Sequence, residues 1–176
     1  FLGMANGHRM IVIPASQINE GLRLCARNIR RFINDIRILL KDSSDWHAIA
    51  HAIFAFEELA KYSELEKAES ATEDVVMVDE RLFGKGRGAH SYKQGIASRL
   101  VPQEAMTLIP ADFDPEDWDP EDFQTESVEI SPTLRLDCVF VDWRDGQCIH
   151  GSPVIPDRIR SFANAILDTL NRLEPG

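Results

Sequence analysis

Two adjacent glutamates and a lysine one turn later are the first candidates for a reactive or binding site. In FAFEELAKYSELEKAE, residues 54–69, Glu57 and Glu58 follow two phenylalanines, and Lys61 lies three to four positions beyond them. On a helix this spacing permits an ion pair worth roughly a few tenths of a kcal/mol. Glu58 also falls close to the apolar stripe, where an unpaired carboxylate would be costly. We therefore expect Glu58 to meet a cationic or hydrogen-bonding partner from another helix.

A second group of candidates surrounds a glycine-alternating basic loop at residues 84–88. It comprises Lys85, Arg87, His90 and Lys93. Backbone N–H groups at a helix start, together with flanking cations, favour an anion such as a phosphate. A histidine beside them can move protons in phosphodiester cleavage, while an arginine or lysine stabilises the charged pentacoordinate state. The alternative is a loop whose charges are simply solvated.

Two histidines on the predicted second helix are candidates for a metal site. His47 and His51 are four residues apart, and Glu58 lies seven residues further along the same side of the helix. Histidines at this spacing can chelate a metal, but the other helices lack the second carboxylate–histidine pair of a di-iron bundle. Alternatively, the two histidines lie on the surface or are hydrogen-bonded in the core. We predict no metal and no cofactor.

The elements that would position these groups are helices. Apolar residues that recur at gaps of three and four predict a long first helix over residues 16–41. These residues are Ile18, Leu22, Cys25, Ile29, Phe32, Ile36 and Leu39. A second helix over 46–69 follows a short connection, which predicts an antiparallel helical hairpin. A third helix is expected over residues 75–83, and a fourth restarts after the glycine loop, over 89–100.

The remainder of the chain is expected to carry an insertion and a closing helix. The duplicated motif FDPEDWDPEDF lies in an acidic loop, residues 103–131, which is either a solvated insertion or a docking segment for a basic partner. Alternation and an Asp-Gly turn predict a β-hairpin over 133–150, and a helix is expected over 156–173. Residues 1–15 are interpreted as an N-terminal arm that begins with a cloning remnant, and residues 16–176 as one helical domain.

Charge and cysteine content narrow the class of protein. The net charge is −10, but ten of the 29 acidic residues lie between Leu100 and Leu134, so the remaining 19 balance the 19 Lys and Arg. A local anion site is therefore compatible with the overall charge. Three cysteines without CxxC spacing argue against a disulfide framework, and no apolar run approaches the roughly 20 residues of a membrane span. We expect a cytoplasmic protein without a membrane partner.

The ordered combination of these motifs resembles a known family. The segments Phe56-Glu57-Glu58-Leu59-Ala60-Lys61 and Ala89-His90-Ser91-Tyr92-Lys93 are similar to the E-E-[LI]-x-K and H-x-x-K motifs of the AbiV abortive-infection proteins, a branch of the HEPN superfamily. The resemblance covers residues 16–100 and the last helix. It implies a mainly α, antiparallel bundle of four to five helices, commonly dimeric, that acts in bacterial defence against phage. Many members of the superfamily are metal-independent ribonucleases with an R-x4-6-H motif.

The chain departs from that ribonuclease motif, because Arg87 precedes His90 by three positions and Arg81 precedes it by nine. Two interpretations follow. In the first, the protein is a metal-independent endoribonuclease in which His90 is the general acid/base and Arg87 and Lys93 contact the scissile phosphate. Glu57, Glu58 and Lys61 then orient them.

In the second interpretation, the same six residues form a structural network, and the protein docks to a phage or host protein, for example to inhibit translation. Both interpretations expect a second copy of the chain as a partner. The first adds RNA, and the second adds a phage or host protein.

Overall fold

The computed structural model describes residues 4–5, 8–42, 44–69, 74–85, 87–106, 142–144, 147–149 and 156–174. Two long helices form its centre, α1 (Ala15–Lys41) and α2 (Asp45–Glu69). They run antiparallel, since Asp35 contacts His51, Asn28 contacts Glu58, and Gly21 lies against Leu65. An added Cβ on Gly21 would come 2.9 Å from Leu65 Cδ1, so the missing side chain permits this close approach.

A closing helix, α5 (Pro156–Leu173), completes the core against α1 and α2. The rings of Phe56 and Phe162 lie 5.2 Å apart between centroids, and both side chains are fully buried. Around them pack the isoleucines that the helical spacing predicts to face inward, Ile18, Ile29, Ile36, Ile49, Ile53, Ile159 and Ile166. The predicted mainly α, antiparallel bundle is confirmed.

The segment predicted as a third helix is instead mostly a β-strand, so that prediction is wrong. Strand β3 spans Val75–Asp79, and only the 3-10 turn Glu80–Leu82 after it is helical. Three of its five residues are valines, whose branched Cβ favours an extended backbone. Burial along β3 alternates, with Val75 and Met77 exposed and Val78 buried, which is a period of two rather than 3.6.

The partner that makes β3 a strand comes from the segment expected to be an N-terminal arm. Strands β1 (Met4–Ala5) and β2 (His8–Pro14) precede α1, and the antiparallel sheet has the order β1-β2-β3. In its register, Val12 pairs with Met77 and Pro14 with Val75. The opposite face of the sheet directs Ile13 and Val76 toward the helical core.

Two further helices and a hairpin lie later in the chain. Helix α3 spans Arg87–Ala97, and α4 (Gln103–Met106) is a single turn at the start of the predicted acidic loop. Strands β4 (Asp142–Arg144) and β5 (Gln147–Ile149) pair antiparallel as part of the predicted hairpin. The rest of the predicted hairpin and the rest of the acidic loop, with its duplicated motif, lie outside the described residues. In the described part of the chain, every helix is too short or too polar to cross a membrane.

Candidate functional site

The two adjacent glutamates of α2 face different neighbours. Successive residues on an α-helix project about 100° apart, so Glu57 and Glu58 point in different directions. The structure directs Glu57 toward α3 and Glu58 toward α1. The single shared cluster expected from the sequence is therefore two clusters, one on each side of α2.

Glu57 is the centre of the first cluster. Its Oε1 and Oε2 lie 2.9 and 2.8 Å from His90 Nδ1, and its Oε2 lies 3.1 Å from Lys93 Nζ. Gln94 Nε2 donates a third contact to Oε1, at 3.1 Å. The carboxylate side chain is only 6% exposed, so these three donors replace the water that burial removes.

All three donors come from one face of α3. His90, Lys93 and Gln94 are spaced by three and four residues, which places them side by side on a helix. Ala89 and Ala97, on the same helix, are buried and let α3 pack closely. The contact between Glu57 and α3 thus ties two helices together through a buried carboxylate.

Lys93 balances the charge of Glu57 inside the protein. Its side chain is 5% exposed, and its ammonium also donates to the carbonyl oxygen of Gly84, at 3.4 Å. Because an unpaired buried charge is costly, Lys93 and Glu57 depend on each other. Lys93 consequently faces the protein interior, and the phosphate contact expected for it is replaced by this ion pair.

His90 is more exposed than the residues that hold it, at 17% of its side chain. Because Glu57 can only accept hydrogen bonds when ionised, we assign the proton to Nδ1 and the acceptor role to Nε2. A carboxylate that holds one ring nitrogen fixes both the tautomer and the orientation of the imidazole. This is one arrangement by which proteins prepare a histidine for proton transfer.

The second cluster lies between α1 and α2. Glu58 pairs with Lys61 one turn along the same helix, and Asn28 Nδ2 donates to Glu58 Oε2 at 3.4 Å. Burial raises the pKa of the nearby Cys25 thiol to about 12, and the Glu58 carboxylate contributes in the same direction. The expected partner of Glu58 on another helix is therefore Asn28, while Glu58 and Lys61 lie apart from the His90 cluster.

The basic loop before α3 is described only in part. Arg87 begins α3, but its side chain lies outside the described residues; Lys85 is exposed. Arg81 donates to Asp79 from Nε and Nη2, at 3.0 and 2.7 Å, and lies 4.2 Å over the ring of Tyr92.

The histidines considered for a metal site are placed differently. His47 is exposed, whereas His51 packs against Phe32 and its Nδ1 lies 3.5 Å from Asp35 Oδ2. Burial lowers the pKa of His51, although Asp35 opposes that shift. Among the described residues, no group of three or more His, Cys, Asp and Glu side chains is arranged to hold a metal ion.

Gln94 is a member of the His90 cluster that sequence reasoning missed. Its spacing of four from His90 was the available signal, because residues four apart share a helix face. A neutral amide carries no chemistry by itself, however, and only the position of Glu57 gives it a role. Comparisons of the chain with protein-family models, curated proteins and solved structures found no match.

Proposed function

We propose that this protein is a bacterial abortive-infection protein of the HEPN-like type that cleaves RNA without a metal, with His90 as the general acid/base. The observation that carries the proposal is the bidentate contact of the buried Glu57 carboxylate with His90 Nδ1, at 2.8 and 2.9 Å. It orients the imidazole and directs Nε2 to the proton-transfer role. The resemblance of the Glu57-Glu58 and His90 motifs to abortive-infection proteins supports the biological setting.

The chemistry requires one proton acceptor near the ribose. His90 Nε2 takes the proton of a 2′-hydroxyl, whose oxygen attacks the adjacent phosphorus while the bond to the 5′-oxygen breaks. The products are a 2′,3′-cyclic phosphate and a 5′-hydroxyl end, the latter protonated by the imidazolium or by water. Arg87, at the start of α3, remains the proposed cation for the developing phosphate charge, and Lys93 acts through Glu57.

One observation favours a second candidate, a non-catalytic binding protein. Glu57, Lys93 and Gln94 are all at least 94% buried, as expected of a network whose task is to join α2 and α3. In this case the protein would dock to a phage or host protein, and His90 would be structural.

An RNA-cleavage assay in EDTA separates the two candidates. The wild type, His90→Ala and the matched control His47→Ala, which replaces an exposed histidine of α2, are incubated with RNA and the new ends are analysed. The enzyme proposal predicts cyclic phosphate ends with the wild type and with His47→Ala, and none with His90→Ala. A wild type that leaves RNA intact excludes the enzyme proposal.

The defence role needs its own measurement. Plating of phage on bacteria that express the wild type should give fewer plaques than plating on cells without the protein. Unchanged plaque numbers over a panel of phages would contradict the abortive-infection proposal. Loss of protection in His90→Ala alone does not choose between the candidates, because either role could need His90.

A further inference from the structure

The outer face of α1 carries a stripe of positive charge. Exposed residues recur there at gaps of three and four, so they line one side of the helix, opposite the isoleucines that α1 buries in the core. From Arg27 to Lys41 the helix rises about 21 Å. Arg37, which is also exposed, flanks this line. We call the surface the α1 stripe, and its members are Arg27, Arg31, Asn34, Arg37, Ile38 and Lys41.

The cations of the α1 stripe are not neutralised by neighbouring acids. In the part of the chain that the structure describes, none of its four Arg and Lys side chains forms an ion pair or a hydrogen bond with a carboxylate. Two arginines beside the stripe differ, because Arg23 pairs with Glu20 and Arg30 with Glu174. Asp35, on the same stretch of α1, is directed at α2. Four positive charges therefore face solvent together, in a chain of net charge −10.

The chemistry of the α1 stripe fits the phosphate backbone of a nucleic acid. Arg and Lys clustered along one helix face are the electrostatic footprint of such a backbone. Three of the four cations are Arg, whose planar guanidinium binds a phosphate through two parallel hydrogen bonds. A protein partner would need an apolar centre to bury, and the stripe offers only Ile38. A membrane surface would need the apolar side of α1, which is buried in the bundle.

We propose that the α1 stripe binds the phosphate backbone of RNA. The choice of RNA rests on the proposed function, but the surface is separate from the His90 cluster. Helix α3, which carries His90, packs on α2, whereas the stripe lies opposite the side of α1 that packs on α2. The stripe holds the strand by charge and does not read its sequence. It therefore increases the occupancy of RNA on the protein and contributes no group to the reaction.

Fluorescence anisotropy of a labelled single-stranded RNA in EDTA tests the proposal. The parent protein carries His90→Ala, so that cleavage does not interfere, and circular dichroism checks that each variant keeps its helices. Each phosphate contact on a single strand contributes about 0.7 to the slope of log K against log salt. Arg27→Gln/Arg31→Gln should therefore reduce this slope by about 1.4 and weaken binding about 25-fold at about 0.1 M salt. Arg27→Lys/Arg31→Lys keeps both charges and should retain the slope of the parent.

The matched control removes the same charge from another helix. Arg160→Gln/Arg172→Gln replaces two exposed arginines of α5 and should bind RNA as tightly as the parent. A parent that does not bind, a stripe variant that binds as tightly as the parent, or equal weakening by the control overturns the proposal. Polyglutamate at an equal concentration of charge should leave the RNA bound. Displacement by polyglutamate would show that the stripe accepts an acidic protein instead, which also overturns it.

Cleavage by the protein with His90 intact is a separate readout. If it cleaves RNA and Arg27→Gln/Arg31→Gln leaves KM unchanged, the role of the α1 stripe is wrong and the proposed function stands. If the stripe binds RNA but the protein leaves the strand intact, the enzyme proposal fails and the role of the stripe stands. A raised KM with an unchanged kcat in the stripe variant is the result that both proposals predict.

Discussion

Replacement of Glu57 by glutamine should destabilise the fold far more than the same change at Glu58. Glu57→Gln keeps the shape of the side chain but removes the charge that lies 3.1 Å from Lys93 Nζ. Lys93 is 5% exposed and cannot recover water without opening the contact between α2 and α3. Removing one partner of a buried ion pair costs about 3 to 5 kcal/mol, so we expect the free energy of unfolding to fall by about 3 kcal/mol or more.

Glu58→Gln is the matched control, one residue away on the same helix. Glu58 and its partner Lys61 are 14% and 20% exposed and pair within one turn of α2, so Lys61 can turn toward solvent. The expected loss is below about 1 kcal/mol. Urea denaturation of both variants, followed by circular dichroism, measures the difference. Losses that agree within about 0.5 kcal/mol, the usual additivity error, would refute the assignment of Glu57 as the buried centre.

A double variant isolates the interaction with Lys93. Glu57→Gln/Lys93→Met should lose less stability than the two single variants added together, because no ammonium is left uncompensated in the interior. Strict additivity would show that Glu57 and Lys93 do not depend on each other, and the electrostatic argument for the cluster would then be wrong.

Two further predictions concern groups whose pKa is shifted by burial. Because burial raises the pKa of Cys25 to about 12, its thiol should resist a disulfide reagent at pH 8 in the folded protein and react fully in urea. The measurement uses a Cys138→Ser/Cys148→Ser variant, so that only Cys25 can react. Rapid labelling of the folded variant would contradict the prediction. His51 has a lowered pKa, so the unfolded chain binds its proton first as the pH falls below 6.5, and stability is lost in that window. Urea denaturation at pH 7 and at pH 5 measures how much free energy of unfolding each variant loses between the two pH values. This loss should be smaller for His51→Asn than for His47→Asn, and equal losses would exclude His51 as the cause.

The long helices were predictable because their apolar spacing persists over many turns. The stripe from Ile18 to Leu39 and the one from Ile159 to Leu173 each repeat often enough to exclude a strand. The segment at Val75 offers only a short apolar run, which periodicity cannot assign to a helix or a strand. Its partner, β2, lies some 60 residues earlier in sequence, and local propensity does not report such a distant pairing.

Three members of the candidate site were predictable from the sequence, but Gln94 and the arrangement of the site were not. Glu57, His90 and Lys93 are reactive or charged types at helical spacing, so they could be named from the sequence. Which of Glu57 and Glu58 meets α3 depends on how α2 is rotated in the bundle, and a rotation of 100° exchanges them. The burial of Lys93 likewise depends on the packing of α3. That packing decides whether Lys93 contacts a substrate or serves as an internal counter-charge.

The proposed function requires that His90, oriented by Glu57, transfers protons in metal-independent RNA cleavage. The most direct measurement is the yield of 2′,3′-cyclic phosphate ends in EDTA from the purified wild type beside His90→Ala, with both proteins shown to be folded by circular dichroism. We predict such ends from the wild type and their loss in His90→Ala. Intact RNA with the wild type, or equal cleavage by His90→Ala, would contradict the claim.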